Sequence, residues 1–172
     1  TVMGQAGDAG FPTTFGPAFA GGNTDAFIAW FSADGSALNG SRFIGGTGDE
    51  FISSAVIQSS GQIIAVGQTT SFDFPVTSNG YDTTPNGGTD AFVIRLGASG
   101  ADLIYGTYLG TDSYDVPLHN VIVQVADDEI LFAGYTTSTS FPVTSGAVNM
   151  SGGNTFITRM RVQTVAPPPT DT

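Results

Sequence analysis

Thr89-Asp90-Ala91-Phe92-Val93-Ile94-Arg95-Leu96 reads as a β-strand: Phe92, Ile94 and Leu96 alternate with Val93 and Arg95 at the two-residue period of a pleated chain. Its opening also stands 65 residues earlier, as Thr24-Asp25-Ala26-Phe27-Ile28, and returns in altered form as Asn154-Thr155-Phe156-Ile157. Other strings repeat in register with it. Phe11-Pro12-Thr13-Thr14 matches Phe74-Pro75-Val76-Thr77 and Phe141-Pro142-Val143-Thr144. Gly4-Gln5 matches Gly67-Gln68 and Gly134-Tyr135, and Ile44-Gly45-Gly46-Thr47-Gly48-Asp49 has a partner in Leu109-Gly110-Thr111-Asp112. Such in-register recurrence marks a tandem array of one structural unit.

In the central unit, strands are predicted near Ser54–Ser59, Gln62–Gly67, Asp90–Leu96 and Asp102–Leu109. Ser59-Ser60-Gly61 and Ala98-Ser99-Gly100 supply tight turns, as Ala33-Asp34-Gly35 does one unit earlier. A long loop from Gln68 to Gly88 carries the Phe-Pro element. Helical periodicity and helix caps are missing. The expected fold is all-β: tandem four-stranded antiparallel, blade-like sheets, with units at approximately 1–46, 47–110 and 111–162, and a Pro-rich extended tail or linker over 163–172. The first unit opens in a second strand (Val2-Met3-Gly4) and the last stops after a third (Thr155–Val162). This gives three, four and three strands, about 2.5 units and an open ring.

Composition narrows the function classes. Of 172 residues, 40% are apolar, enough for a core, whereas only 11% are charged. The net charge is −11, with no Lys and with Arg42, Arg95, Arg159 and Arg161 as the only Lys or Arg residues. Phosphate backbones and anionic membrane surfaces would be repelled. No run of about 18 apolar residues is present, so membrane insertion is not expected. The absence of Cys removes disulfides from the account. The chain begins at Thr1 rather than Met, which reads as a processed protein or a fragment of a longer one.

The strings Gly67-Gln68-Thr69-Thr70-Ser71-Phe72-Asp73-Phe74-Pro75, Gly87-Gly88-Thr89-Asp90-Ala91-Phe92-Val93-Ile94-Arg95-Leu96 and Leu103-Ile104-Tyr105-Gly106-Thr107-Tyr108-Leu109-Gly110 resemble the bacterial β-propeller repeat known as the SBBP repeat. The resemblance covers nearly all of residues 2–162. It implies propeller-like blades on a secreted or cell-surface protein, with no catalytic residues to carry over. The third unit departs from the pattern: Asp127-Asp128-Glu129 replaces the hairpin glycine, and Asn154-Thr155-Phe156 replaces Asp-Ala-Phe.

Catalytic chemistry finds little foothold. The single His119 has no Ser elbow for a triad and no Cys for a zinc site. Glu50 and Glu129 are the only glutamates to pair as glycosidase acids, and most of the thirteen Asp sit at turns. Gly45-Gly46-Thr47-Gly48 lacks the Lys and following helix of a phosphate loop. Calcium is the one metal the pattern admits: Asp49 and Glu50, and Asp112 and Asp115, form equivalent acidic loops, with Asp127-Asp128-Glu129 as a third cluster. Trp30, Arg95 and Arg159 share one strand position, either as a ligand row or as packing between blades. Asn39 and Asn149 head glycosylation tripeptides.

The sequence therefore points to a non-catalytic extracellular or cell-surface structural protein. Copies of itself are the expected partners, joined through open β edges and termini into a filament or sheath. The alternative is a propeller module whose Phe-Pro loops bind surface glycans or a protein.

Overall fold

The computed structural model describes residues 1–144 and 154–163. Among the described residues there are ten strands and no helix, arranged as three antiparallel sheets of three, four and three strands, none closed into a barrel. Sheet one runs β1 (Val2–Ala6), β2 (Asp25–Phe31), β3 (Leu38–Ile44). Sheet two runs β4 (Glu50–Ile57), β5 (Ile63–Thr69), β6 (Asp90–Leu96), β7 (Leu103–Leu109). Sheet three runs β8 (Asp115–Ala126), β9 (Glu129–Thr136), β10 (Thr155–Arg161).

The all-β blade-like reading holds, and β6 falls where the alternation placed it. The first strand of the central unit is longer than expected and starts at Glu50 rather than Ser54. A register shift between Ile52 and Ser54 breaks its alternation, which hid the start. Glycines set the hairpins: Gly35, Gly61 and Gly100 take φ of 73°, 82° and 76°, a region that side chains other than glycine enter at a cost. At the glycine-less hairpin of sheet three, Ala126 pairs with Glu129 across Asp127-Asp128.

Each sheet has a near face, toward the preceding sheet, and a far face, toward the following one. On the far face of sheet one, Ala26, Ile28 and Ile44 pack on Ile63, Ala65, Phe92, Ile94 and Leu96 of the near face of sheet two. On the far face of sheet two, Ile64, Val66, Ala91 and Val93 pack on Ile130, Phe132, Phe156 and Met160 of sheet three. The β5–β6 ladder is unbroken from Ile63↔Leu96 to Thr69↔Asp90. All seven residues of β6 are buried, because both faces of the central sheet are covered.

The Phe-Pro element closes each unit from within. Phe11 lies 4.1 Å from Phe27, Phe74 4.5 Å from Phe92 and Phe141 4.4 Å from Phe156, centroid to centroid. The third-strand ring in turn lies over a second-strand glycine. A Cβ at Gly4, Gly67 or Gly134 would strike Phe27, Phe92 or Phe156 respectively. Gly, Phe and Phe-Pro thus recur together because they form one packing unit. Phe74 is only 3% exposed, so the ring of the Phe-Pro element is core.

Candidate functional site

The two acidic loops turn inward at the junctions between sheets. Glu50 opens β4 and is fully buried. Its Oε1 accepts hydrogen bonds from Thr69 Oγ1 (2.5 Å) and Ser71 Oγ (2.6 Å), and its Oε2 accepts one from Gly46 N (3.0 Å). Asp115 opens β8 and repeats the pattern. Its Oδ2 accepts from Thr111 N (2.9 Å) and Ser138 Oγ (2.7 Å). Backbone bonds lock the same corners: Glu50 N donates to Thr24 O and Asp115 N to Thr89 O, both at 2.8 Å.

Across each junction stands a second buried carboxyl group. Asp25 begins β2, and its Oδ2 accepts from Ala20 N (2.7 Å). Asp90 begins β6, and its Oδ2 accepts from Asn86 N (2.9 Å). Burial pushes the Asp25, Glu50 and Asp90 carboxyls above the usual range, because a dry setting disfavours the charged form. Asp25 and Asp90 open equivalent third strands and, as that place in sequence suggests, accept backbone N–H groups; their pairing with Glu50 and Asp115 was not read from the sequence. Their fixed spacing to Glu50 and Asp115 in both units was the signal that could have found it.

The other two calcium-ligand candidates lie apart. Asp49 faces outward and accepts from Asn23 Nδ2 (3.0 Å) and Thr24 N (3.3 Å). Bonds from Asn23, chiefly its backbone N–H, hold its pKa below the usual range. Asp112 accepts from Thr139 Oγ1 (3.0 Å) and N (3.2 Å), which lowers its pKa too. Asp49 with Glu50, and Asp112 with Asp115, therefore do not converge as pairs. Among the described residues no group of three or more His, Cys, Asp or Glu side chains is gathered to hold a metal.

Glu129 sits on the exposed end of sheet three, 2.8 Å from Arg159 and 3.9 Å from Arg161, rather than beside Glu50. His119 is exposed on β8. Asn39 is exposed on β3, and Asn149 lies outside the described residues, as does the tail beyond Gln163. Trp30 and Arg95 serve the junctions, whereas Arg159 at the equivalent place is exposed and pairs with Glu129. A Cβ at Gly100 would strike Trp30, and Arg95 Nη1 donates to Val162 O (2.9 Å) while its Nε and Nη2 donate to Gln62. Arg42 is buried and donates through Nη1 to the carbonyls of Gly100 and Ala101.

Among the described residues a cleft and parts of two sheet faces are open to solvent. An open cleft of about 340 Å³ is lined by Tyr81, Asp82, Asn86, Asp112 and Pro142 among others. On the far face of sheet three, Val123 is 55% and Ile157 74% exposed. Val93, at the place in sheet two equivalent to Ile157, is fully buried. At the opposite end, Val2 and Phe31 on the near face of sheet one are exposed, whereas their equivalents Ala65 and Leu96 are buried.

No family model matches the chain, and no curated protein matches it.

Proposed function

We propose that this chain is a non-catalytic structural protein of the cell exterior. On this reading its SBBP-like, propeller-type blades associate from copy to copy into a filament or sheath. The observation that carries the reading is the exposed far face of sheet three, taken together with the exposed Val2 and Phe31 on the near face of sheet one, where Ala29 and Phe43 are already buried. Twice within the chain a far face packs on a near face. The remaining far and near faces are one of each kind, so a second copy can continue the same stacking. β1 and β10 are also sheet edges with a single paired neighbour, and free edges accept strands. A far-to-near contact is heterologous: it closes into a ring if the rotation closes and otherwise runs on as a filament. The burial of the paired carboxyls away from solvent and the lone exposed His119 support the non-catalytic part of the reading.

Electron microscopy of the purified chain, with no partner added, tests the proposal. Filaments, tubes or rings of regularly repeated copies are expected. Dispersed single chains at high concentration would contradict it.

A second reading draws on the cleft. Tyr81 presents a ring that is 63% exposed beside Asp82, Asn86 and Asp112, a mixture of aromatic face and polar atoms suited to a sugar. Glycan-array binding that is lost in Tyr81→Ala would favour it, and an empty array would dispose of it.

A further inference from the structure

The two junction carboxyl pairs present a problem of charge that the chain does not solve by itself. Asp25 and Asp115 are fully buried and Asp90 is 3% exposed, and the Oδ1 atom of each has no hydrogen-bond partner among the described residues. The orphaned oxygens of Asp25 and Asp90 each meet an oxygen of the partner carboxylate at one spot. A Cβ on Gly45 would come closer than 3.0 Å to both Asp25 Oδ1 and Glu50 Oε2. A Cβ on Gly110 would come closer than 3.0 Å to both Asp90 Oδ1 and Asp115 Oδ2. Only glycine fits beside either pair, and the arrangement is built twice from equivalent positions.

A buried carboxylate needs a counter-charge or a donor for every oxygen. No basic side chain is free to supply one. The chain has no Lys, and its four Arg are committed elsewhere: Arg42 and Arg95 to carbonyls and Gln62, Arg159 and Arg161 to Glu129. His119 is exposed on β8. A single shared proton would serve Asp25 Oδ1 and Glu50 Oε2, whose other oxygens are already bonded, but it falls short at the second junction. Between Asp90 Oδ1 and Asp115 Oδ2 it would leave Asp115 Oδ1 buried with no partner. A hard cation differs, because it draws on several oxygens at once and neutralises both charges.

We propose that each junction between sheets binds one hard divalent cation of the calcium type, held by Asp25 and Glu50 between sheets one and two and by Asp90 and Asp115 between sheets two and three. Water and turn carbonyls complete its oxygen shell. The ion joins the first strand of one blade to the third strand of the blade before it, so it acts as a clasp on the stacking. The third unit carries Asn154 where the first two carry Asp25 and Asp90. An amide there weakens any equivalent clasp at the open end. The inference stands independently of the assembly proposed above, since both sites lie within one chain.

Titration calorimetry of the full chain, freed of metal with a chelator, tests this with calcium alone as the probe. Two sites per chain are expected. Asp90→Asn removes one of them, and Asp25→Asn with Asp90→Asn removes both. Asp49→Asn and Asp112→Asn leave both intact, because those side chains point elsewhere. Calcium at about a hundredfold excess over Kd is expected to raise the folded-to-unfolded ratio about a hundredfold per site. If the Asn variants fail to fold, terbium luminescence on the wild-type chain reports the same stoichiometry, with calcium competing it away. Absence of binding at millimolar calcium, or binding that Asp49→Asn abolishes, would overturn the proposal. So would infrared spectra showing protonated carboxyl groups at neutral pH that calcium leaves unchanged.

Discussion

Val93 in sheet two and Ile157 in sheet three occupy one place in the repeat, on the far face of the third strand. Val93 is fully buried, whereas Ile157 is 74% exposed. The backbone around them is alike: Val93 pairs with Val66 and Ile157 with Ala133 in matching antiparallel ladders. What differs is the presence of a following sheet. Sheet three supplies that cover for sheet two through Ile130, Phe132 and Phe156. The contrast teaches that the repeat encodes two apolar faces in every unit, and that burial belongs to the stack rather than to the single sheet. This is the energetic logic of repeat architectures, in which each unit is stabilised by its neighbours.

Substitutions at paired positions can break or sharpen the comparison. The largest effect is expected from Val93→Asp, which places an unpaired charge in a dry junction. A loss of at least about 3 kcal/mol, read by urea denaturation, is expected. Ile157→Asp should leave the unfolding midpoint of a single chain nearly unchanged and abolish association. A similar loss from both would show that the far face of sheet three is covered within the chain. Next comes the Phe-Pro ring. Phe74→Ala should cost about 3–5 kcal/mol, since the ring is buried against Phe92 and Tyr108. Phe141→Ala, at the half-buried equivalent in sheet three, should cost clearly less in the same assay. The smallest contrast is between Arg95 and Arg159. Arg95→Ala strands the Val162 carbonyl and the Gln62 amide oxygen and should cost about 1–3 kcal/mol. Arg159→Ala removes only an exposed ion pair to Glu129, and its unfolding midpoint should match the wild type.

The strand plan was legible because its signals are local. Alternation over Asp90–Leu96 and turn glycines at 35, 61 and 100 need only neighbouring residues, and the structure follows them. The start of β4 was not legible, because the irregularity between Ile52 and Ser54 breaks the period on which the reading relied. Site geometry was harder for a different reason. Asp49 and Glu50 are adjacent in sequence, yet one faces solvent and the other is buried, so adjacency grouped the wrong carboxylates. The true neighbours of Glu50 and Asp115 are Asp25 and Asp90, on strands of the preceding sheet. The recurrence of Gly4, Gly67 and Gly134 with Phe27, Phe92 and Phe156 did carry packing information. It was read as a repeat marker only, although three apolar positions recurring together also report a contact.

Cysteine cross-linking tests the central claim of far-to-near stacking most directly, because the natural chain has no Cys to compete. One preparation carries Ile157→Cys on the far face of sheet three, and the other carries Val2→Cys on the near face of sheet one. Mixed under mild oxidation, the two should form disulfide-linked heterodimers well in excess of the Ile157→Cys and Val2→Cys homodimers. Equal yields of all three species, or no cross-linking at concentrations where the wild type associates, would contradict the account.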